Sequence, residues 1–292
     1  MAKTRAIVKR RKAIRNIRKI TRTMELIATA QFQKAMQRAS EAEAFTRKIA
    51  EVAADLSASA TDIKHPLLEK REPMKRNLVL VIGSNRGLCG GYNAGIIREA
   101  APVVRRALAK GAENLHLEVS GKRILTWIRY QDIKIAKGYS TFDDKPRFSE
   151  VDEIAERYIA MYISGQVDRV DLVYSKFFNA AKQAPVVETL LPLAPEGDAD
   201  KKSKPPAVEY EFMPSAGEIL KELLPMSFKI RLFKVFLDAA VSEQIARRVA
   251  MKSATENADE MIKDLSRQYN RARQAQITKE ISEVIGGAES LK

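Results

Sequence analysis

The chain has 292 residues, 45% of them hydrophobic, so it can bury a core of about 100–150 residues and still leave long extensions. A single cysteine, Cys89, excludes an intrachain disulfide framework and a cysteine-based zinc site, and only two histidines, His65 and His116, are available as metal ligands. The best apolar run, Leu78–Ile82, is far shorter than the roughly 20 residues of a membrane-spanning helix. We therefore expect a protein of a reducing compartment that is soluble or peripheral to a membrane.

Positive charge is concentrated at the start of the chain. Of the net charge of +14, residues 1–50 carry +11, which leaves +3 for all the others. We expect this segment to bind a polyanion or an acidic protein surface. A solvated helix face, a transit peptide and nucleic-acid binding stay open as alternatives. An unbroken helical pattern through Glu25 argues against a transit peptide, and only Phe32 and Phe45 are available to stack on bases.

The first predicted element is a long helix over Thr4–Leu56, a segment without Pro or Gly. Its apolar residues recur mostly in steps of three and four, which predicts a seam for another helix. An ordinary helical bundle is the alternative, but the sequence has no third long helix to complete a bundle core. The predicted seam residues are Ile14, Ile17, Thr21, Met24, Ala28, Ala35, Ala42, Phe45, Ile49, Val52 and Leu56.

The middle of the chain alternates between strand and helix patterns. An apolar strand, Asn77–Ile82, precedes a helical segment, Ala94–Leu108, and the alternation continues to residue 179. Uninterrupted strands separated by helices indicate a mostly parallel sheet with helices on its faces. Two more strands and a charged surface loop follow. The other predicted segments are Leu115–Ser120, Arg123–Tyr130, Ile133–Gly138, Phe148–Ile163, Val170–Asn179, Val186–Leu193, the loop Pro195–Pro206 and Val208–Met213.

A glycine-rich segment, Gly83–Gly91, follows the first strand and is a candidate nucleotide site. A P-loop requires Lys and then Ser or Thr after its last glycine, but Tyr92 and Asn93 stand there. The spacing also differs from the G-x-G-x-x-G of dinucleotide-binding proteins. We therefore expect a tight strand-to-helix turn, in which Cys89 is a buried thiol and not a nucleophile. No catalytic constellation is readable elsewhere, so we expect no catalysis by this chain alone.

A second long helix is predicted over Ser215–Gly286. Ser215 and Glu218 fit a capping box at its start, and Pro225 is expected to bend or break it. Gly286-Gly287 is expected to end it. Its apolar spacing predicts a second seam, so a partner for the first helix is available in the same chain. The seam residues are Met251, Ala254, Ala258, Met261, Leu265, Tyr269, Ala272 and Ala275, followed by Ile277, Ile281 and Ile285.

Three separated motifs carry a resemblance to a known family. The first is Arg10–Ala30, with its Lys-Ile-Thr and Met-Glu, and the second is Ser84–Asn93 at the strand-to-helix turn. The third is Tyr269–Ile281, followed by Gly286-Gly287. With these motifs in this order, the chain resembles, from end to end, the gamma subunit of F-type ATP synthases.

The resemblance implies a Rossmann-like α/β head with a mostly parallel sheet, inserted between two terminal helices that form an antiparallel coiled coil. The implied domains are residues 1–57, 75–213 and 214–287. In the family, this coiled coil stands among three alpha and three beta subunits, and its rotation couples transmembrane ion flow to ATP synthesis or hydrolysis at beta. The head binds the epsilon subunit and the membrane ring of c subunits. We expect a non-catalytic subunit without cofactor or metal, on the cytoplasmic face of a bacterial plasma membrane.

The resemblance also implies which residues contact the beta subunits. On the first helix they match a segment that passes an acidic region of beta, and on the second they match positions that touch a catch loop of beta. The residues are Arg10, Lys19, Arg22 and Met24 on the first helix, Arg273, Gln274, Thr278 and Glu280 on the second, and Ile281 and Ile285 in the bearing tip. Seam packing of Met24, and simple solvation of any one charge, are the alternatives.

The chain departs from the family pattern at three places. Phe228–Phe236 is more apolar and aromatic than expected, Asn85 stands where the family often has Asp, and the Pro195–Pro206 loop looks specific to one lineage. A single cysteine argues against the thiol switch of the chloroplast form. A nucleotide-dependent enzyme and a nucleic-acid-binding protein stay as alternative functions, and we expect neither.

Overall fold

The computed structural model describes residues 2–59, 65–69, 71–72, 74–109, 111, 114–142, 145–193 and 216–289. Contacts divide the chain into two compact units, which are described separately. Unit 1 comprises Met1–Thr29 and Arg247–Lys292, and unit 2 comprises Ala30–Ala246. The elements in chain order are α1 (Ala2–Ser59), β1 (Asn77–Ile82), α2 (Tyr92–Leu108), β2 (Leu115–Ser120), α3 (Lys122–Tyr130), β3 (Lys137–Tyr139), α4 (Phe148–Ile163), β4 (Arg169–Asn179), β5 (Lys182–Leu191) and α5 (Ala216–Glu289).

The sheet of unit 2 has the strand order β3-β2-β1-β4-β5. Strands β1 to β4 pair in parallel, and β5 returns antiparallel to β4 as the second strand of a hairpin. Strand β1 lies at the centre and five of its six residues are buried, which explains its continuous apolar sequence. The predicted mostly parallel α/β sheet is confirmed.

The direction of the chain crossovers decides which helix covers which face of the sheet. Helices α2 and α3 connect β1 to β2 and β2 to β3, both steps in one direction, whereas α4 connects β3 to β4 in the opposite direction. Right-handed crossovers therefore place α2 and α3 on one face and α4 on the other. Two separate apolar clusters agree with this arrangement, one with Ile96 and Ile124 and the other with Ile154 and Tyr158.

The apolar segment Phe228–Phe236 of α5 packs into the core of unit 2 on the α4 side of the sheet. Phe228, Leu232 and Phe236 are at most 3% exposed and join the cluster that contains Leu80 from the sheet. Ile230 on the other side of the helix is also buried, at 4%. A helix that is covered on several sides is apolar on several sides, which explains the unexpected composition of this segment.

A buried carboxylate joins α4 to the sheet. Glu118 in β2 accepts hydrogen bonds from Arg157 Nη2 at 2.8 Å and from the Tyr139 and Tyr158 hydroxyls at 2.7 Å each, and it also contacts Arg157 Nη1. His116 Nε2 lies 2.9 Å from its other oxygen. Burial of the charge is tolerated because every carboxylate oxygen has several partners.

Some predicted element boundaries are wrong. Helix α5 continues through Gly286 and Gly287 to Glu289, because glycine costs a helix about 1 kcal/mol without forcing it to end. Pro225 lies inside α5 without ending it, and the buried Leu224 and Phe228 beside it hold the helix against the core. The strand expected over Ile133–Gly138 is limited to β3. The predictions for Pro195–Pro206, Val208–Met213 and the Ser215 cap lie outside the described residues.

Candidate partner-binding surface

Unit 1 contains all the residues that are predicted by number to contact the beta subunits or to form the bearing tip. Its two helical segments meet along a seam of small side chains, in which Ala28 is 0% and Ala258 is 4% exposed. Met251 and Leu265 are the large apolar side chains that are buried on the α5 side, at 5% each. Small residues allow the two helix axes to approach closely, so the seam buries little apolar area for its length.

A pair of buried hydroxyls crosses the seam. The Thr255 hydroxyl lies 2.9 Å from Thr21 Oγ1, and the two residues are 8% and 9% exposed. Thr21 also donates to the Arg18 carbonyl at 3.1 Å, and Thr255 reaches the Met251 carbonyl at 2.8 Å. Both hydroxyls are therefore satisfied without water, and their pairing favours one register of the two helices.

The predicted seam is right in part. Thr21, Ala28, Met251, Ala258 and Leu265 are buried as predicted. Ile17 and Met261, by contrast, are 48% and 41% exposed. On α5 the seam also contains Thr255, which is buried, whereas the predicted Ala254 beside it is only partly buried; a hydroxyl that finds a partner can be buried. Phe45, Val52 and Leu56 have side chains outside the described set.

Polar contacts flank the seam. Arg18 forms an ion pair with Asp259, with about half of each side chain exposed. Arg11 Nη1 donates to Ser266 Oγ at 3.5 Å, and its guanidinium lies 5.1 Å from the centre of the Tyr269 ring. Exposed contacts of this kind contribute little stability each, so they guide the register more than they hold the helices together.

The predicted contact residues on α1 differ in exposure and in ion pairing. Arg10 and Lys19 are exposed, and among the described residues no carboxylate forms an ion pair with either. Arg22 instead donates to both oxygens of Glu25 at 2.9 Å. Met24 is half-buried at the edge of the seam. Arg10 and Lys19 are therefore the better candidates for attracting an acidic partner.

Several aliphatic side chains of unit 1 are exposed, although the sequence did not single them out. Ile20, Leu26 and Ile27 on α1 are 55–59% exposed, and Val249 on α5 is 60% exposed. Apolar residues at positions 17, 20, 24 and 27 fall in steps of three and four, so they form a stripe on α1 beside the seam. The adjacent pair Leu26-Ile27 could have indicated this second apolar surface. Neighbouring residues of a helix point in different directions, so the two side chains cannot both face one seam.

On α5, the structure brings together only some of the predicted catch-loop residues. Arg273 and Glu280 line a cavity of about 230 Å³ with Tyr269 and, from α1, Thr4 and Arg5. Gln274 and Thr278 are exposed, and Thr278 donates to the Gln274 carbonyl at 3.0 Å. The tip residues Ile281 and Ile285 are 54% and 59% exposed. All of these side chains are accessible to a partner.

The glycine-rich loop of unit 2 forms a strand-to-helix turn, as predicted, between the end of β1 and the start of α2. Asn93 Nδ2 donates to Ser84 Oγ at 2.7 Å, and Asn93 Oδ1 accepts from the Ser84 amide at 3.1 Å. Cys89 is 2% exposed, which confirms a buried thiol. These polar groups therefore form hydrogen bonds with each other and hold the turn together.

A small cavity lies beside the carboxyl ends of β1 and β2, next to the glycine-rich turn. Phe142 and Phe236 line it together with Tyr92, and its volume of about 20 Å³ is room for about one water. A nucleotide cannot enter this volume. This cavity is therefore too small to support the enzyme alternative.

Two further searches cover the described part of the chain. No three His, Cys, Asp or Glu side chains lie there close enough together to hold a metal ion. None of the helices there combines the length and apolarity that crossing a membrane requires.

Comparison with known proteins gives one consistent answer. A family model described as ATP synthase matches residues 3–291. An ATP synthase gamma chain from Rhodopirellula baltica is 53% identical over 296 residues, and one from Leptospira biflexa is 39% identical over 291 residues, each match covering 100% of both chains. A chain in the cryo-EM structure of Euglena gracilis mitochondrial ATP synthase (OSCP/F1/c-ring, rotational state 3) shares the fold, with a TM-score of 0.65, 16% identity and coverage of 99% of this chain and 95% of that one. The chain belongs to the ATP synthase gamma-chain family.

Proposed function

We propose that this chain is the central rotating shaft of a rotary ATP synthase, which couples ion-driven rotation to ATP synthesis or hydrolysis on other subunits. Sequence similarity to gamma chains over the full length carries the proposal. The ATP synthase family model matches all but three residues of the chain. The proposal assigns no catalytic site to the chain itself. Its partners are three alpha and three beta subunits, an epsilon subunit and a membrane ring of c subunits.

Unit 1 is the part that we assign to the alpha and beta subunits. A rotating shaft contacts several equivalent partners in turn. Its surface therefore has to attract them through long-range charge without tight, specific packing against any one of them. The exposed cations Arg10 and Lys19 attract acidic segments over a distance, and the stripe with Ile20 and Ile27 offers apolar area for contact. Arg273 and Glu280 are assigned to the catch-loop contact, and Ile281 and Ile285 to the bearing tip.

Unit 2 is assigned to the end of the shaft that meets epsilon and the c ring. In this arrangement the chain is peripheral to the membrane and is held there by its complex, on the cytoplasmic side in a bacterium. The solved fold relative comes from an assembly whose description includes F1 and a c-ring, which supports membership in such a complex.

Reconstitution with purified alpha and beta subunits tests the proposed function. We expect the full chain to co-purify with them and to change the ATPase rate of the mixture. In membranes that contain the whole complex, ATP-driven ion pumping is expected to require the chain. A stable complex of alpha and beta whose ATPase rate is the same with and without this chain would overturn the proposal.

Charge reversal tests the contact surface on α1. Lys19→Glu is expected to weaken coupling between ATP hydrolysis and ion pumping about fivefold, the scale of one exposed charge contact. Arg38→Glu is the matched control, since Arg38 is an exposed cation on the same helix that we do not assign to the contact. Equal effects of the two variants would remove Lys19 from the contact surface. Met24→Lys adds charge to the stripe, and unchanged coupling in that variant would remove Met24 as well.

A further inference from the structure

One face of unit 2 carries a charge pattern that the proposed function does not use. Helices α2 and α3 cover the same face of the sheet, and their buried residues, among them Ile96, Val104 and Ile128, belong to one apolar cluster. Their opposite sides are exposed. Together the two helices contain six lysines and arginines and one carboxylate, Glu99. We call the exposed side of these two helices the basic face.

The cations of the basic face point away from the sheet. Arg98 and Arg105 are seven residues apart on α2, as are Lys122 and Arg129 on α3, so each pair lies on one side of its helix. The α2 pair is separated by about 10 Å along the helix axis. All six cations are exposed, namely Arg98, Arg105, Arg106, Lys122, Arg123 and Arg129.

Intramolecular stability does not explain these charges. Among the described residues, no carboxylate forms an ion pair with any of the six. Arg105 and Arg106 donate only to carbonyls of their own helix, each at 3.3 Å. Lys122 and Arg123 lie in the first turn of α3, which has no acidic residue, although cations are unfavourable at that end of a helix dipole.

Exposed apolar side chains accompany the cations. Tyr130, next to Arg129 at the end of α3, is 85% exposed, and Leu88 in the loop before α2 is 60% exposed. Tyrosine beside cations is the combination that lies at the level of lipid headgroups in membrane-associated proteins. Among the described residues, packing covers only a small part of the Tyr130 side chain.

From these observations we propose that the basic face docks on the headgroups of an anionic lipid bilayer. The cations are spread over two helices and are not held by carboxylates, which suits a diffuse layer of negative charge more than a single acidic peptide. Tyr130, at the end of α3, supplies a short apolar contact with the interface. The inference does not depend on the proposed rotor function, because it concerns only unit 2 and lipid.

A fluorescence experiment with the full chain reports on this face alone. The sequence has one tryptophan, Trp127, and it lies in α3. The double variant Trp127→Phe, Tyr130→Trp moves that reporter to the most exposed position of the face. We expect its emission to shift to the blue, and to be quenched by brominated lipid, on vesicles of phosphatidylcholine with phosphatidylglycerol. No change is expected on vesicles of phosphatidylcholine alone.

Matched charge reversals separate the basic face from general attraction to a basic protein. Arg98→Glu, Arg105→Glu and Arg129→Glu together are expected to weaken vesicle binding about a hundredfold or more, since each cation at an anionic surface contributes roughly fivefold. The control changes Lys9, Lys12 and Arg15 on α1 to Glu, which alters the net charge equally, and is expected to keep the response of the reporter. Glutamine in place of the three arginines repeats the test if the reversal disturbs folding.

Three outcomes would overturn the proposal. The first is equal loss of binding in both triple variants. The second is vesicle binding, measured by flotation, without any change at position 130, which would assign the lipid contact to another part of the chain. The third is a reporter that responds to polyglutamate and not to anionic vesicles, which would assign the face to an acidic protein.

Discussion

Unit 2 buries most of its large apolar side chains, whereas unit 1 leaves many of them exposed. Tyr158, Tyr174 and Phe228 in unit 2 are at most 1% exposed, but Ile20 and Val284 in unit 1 are 59% and 72% exposed. The seam of unit 1 is built from small residues and a hydroxyl pair. Unit 2 therefore has an internal source of stability, while unit 1 has a surface suited to being covered by something else.

The difference also concerns polar groups. Unit 2 buries the charge of Glu118 among several partners, whereas most ion pairs of unit 1, such as Arg18–Asp259, are exposed to water. Desolvated charges cost several kcal/mol when they lose a partner, but exposed pairs cost less than about 1 kcal/mol. Substitution of a buried charged residue in unit 2 is thus expected to change the free energy of unfolding more than substitution of an exposed one in unit 1.

The largest effect is expected at Glu118. Burial opposes ionisation of this carboxyl, but hydrogen bonds from Arg157, His116 and the two tyrosines outweigh burial and hold its pKa well below the ordinary value of 4.5. Glu118→Gln leaves Arg157 without its partner and is expected to lower the free energy of unfolding by about 3 kcal/mol. Denaturant unfolding followed by Trp127 fluorescence measures this within unit 2.

The pH dependence at Glu118 follows from the direction of the shift. The unfolded chain binds a proton near pH 4.5 while the folded chain does so only at lower pH, so the contribution is full above that value and falls as the solution is acidified below it. The Glu118→Gln variant is expected to lose this acid dependence. Glu156→Gln is the control, because the Glu156 side chain in its ion pair with Lys229 is 64% exposed, and an equally large effect there would contradict the special role of Glu118.

The second effect is expected at Asp238 and has the opposite sign. Burial raises the pKa of Asp238 to about 7, with Lys234 and Lys176 opposing the rise and Glu43 and Glu188 adding to it. The unfolded carboxyl loses its proton near 3.8, so the folded state becomes less stable as pH rises from about 4 to about 7. Asp238→Asn removes that cost and is expected to stabilise the protein at pH 8 by on the order of 3 kcal/mol.

Melting curves at pH 8 and pH 5 check the Asp238 prediction. The gain in stability of Asp238→Asn over the unmodified chain is expected to be smaller at pH 5 than at pH 8. An Asn variant that is less stable than the unmodified chain at pH 8 would mean that the charged carboxylate is stabilised in the fold.

In unit 1 the expected effects are smaller. Thr255→Val removes the hydroxyl that faces Thr21 and is expected to cost about 1 kcal/mol, the usual value of one hydrogen bond. Hydrogen exchange of the α1 amides near Thr21 is expected to become about fivefold faster. Thr23→Val, at an exposed hydroxyl that donates to the Lys19 carbonyl at 2.9 Å, is the control and is expected to change exchange less.

The smallest effect on the isolated chain is expected at Ile20. Ile20→Ser removes an exposed aliphatic side chain and is expected to change the free energy of unfolding by less than about 0.5 kcal/mol. In complex with alpha and beta subunits, the same variant is expected to bind more weakly, because the stripe on α1 would then be buried. A destabilised isolated chain would show that Ile20 already packs within unit 1.

Several elements were predictable because one local signal determined them. The apolar run Asn77–Ile82 has the bounds of a buried strand, and Phe148–Ile163 has the bounds of a helix, because side-chain periodicity and burial agree there. The strand-to-helix turn after β1 was predictable from its glycines. The end of α5 was not, since glycine permits a helix end without requiring one.

The sequence by itself determined the two long helices, the alternating order of the sheet region and the concentration of charge at the start of the chain, because these depend on local periodicity and composition. Tertiary structure decided which side of each helix is buried. It buried Thr255 more deeply than the predicted Ala254 beside it, since a hydroxyl can be buried once a second hydroxyl faces it. It also placed α2 and α3 on one face of the sheet, which gathered cations that are scattered along the sequence into a single surface.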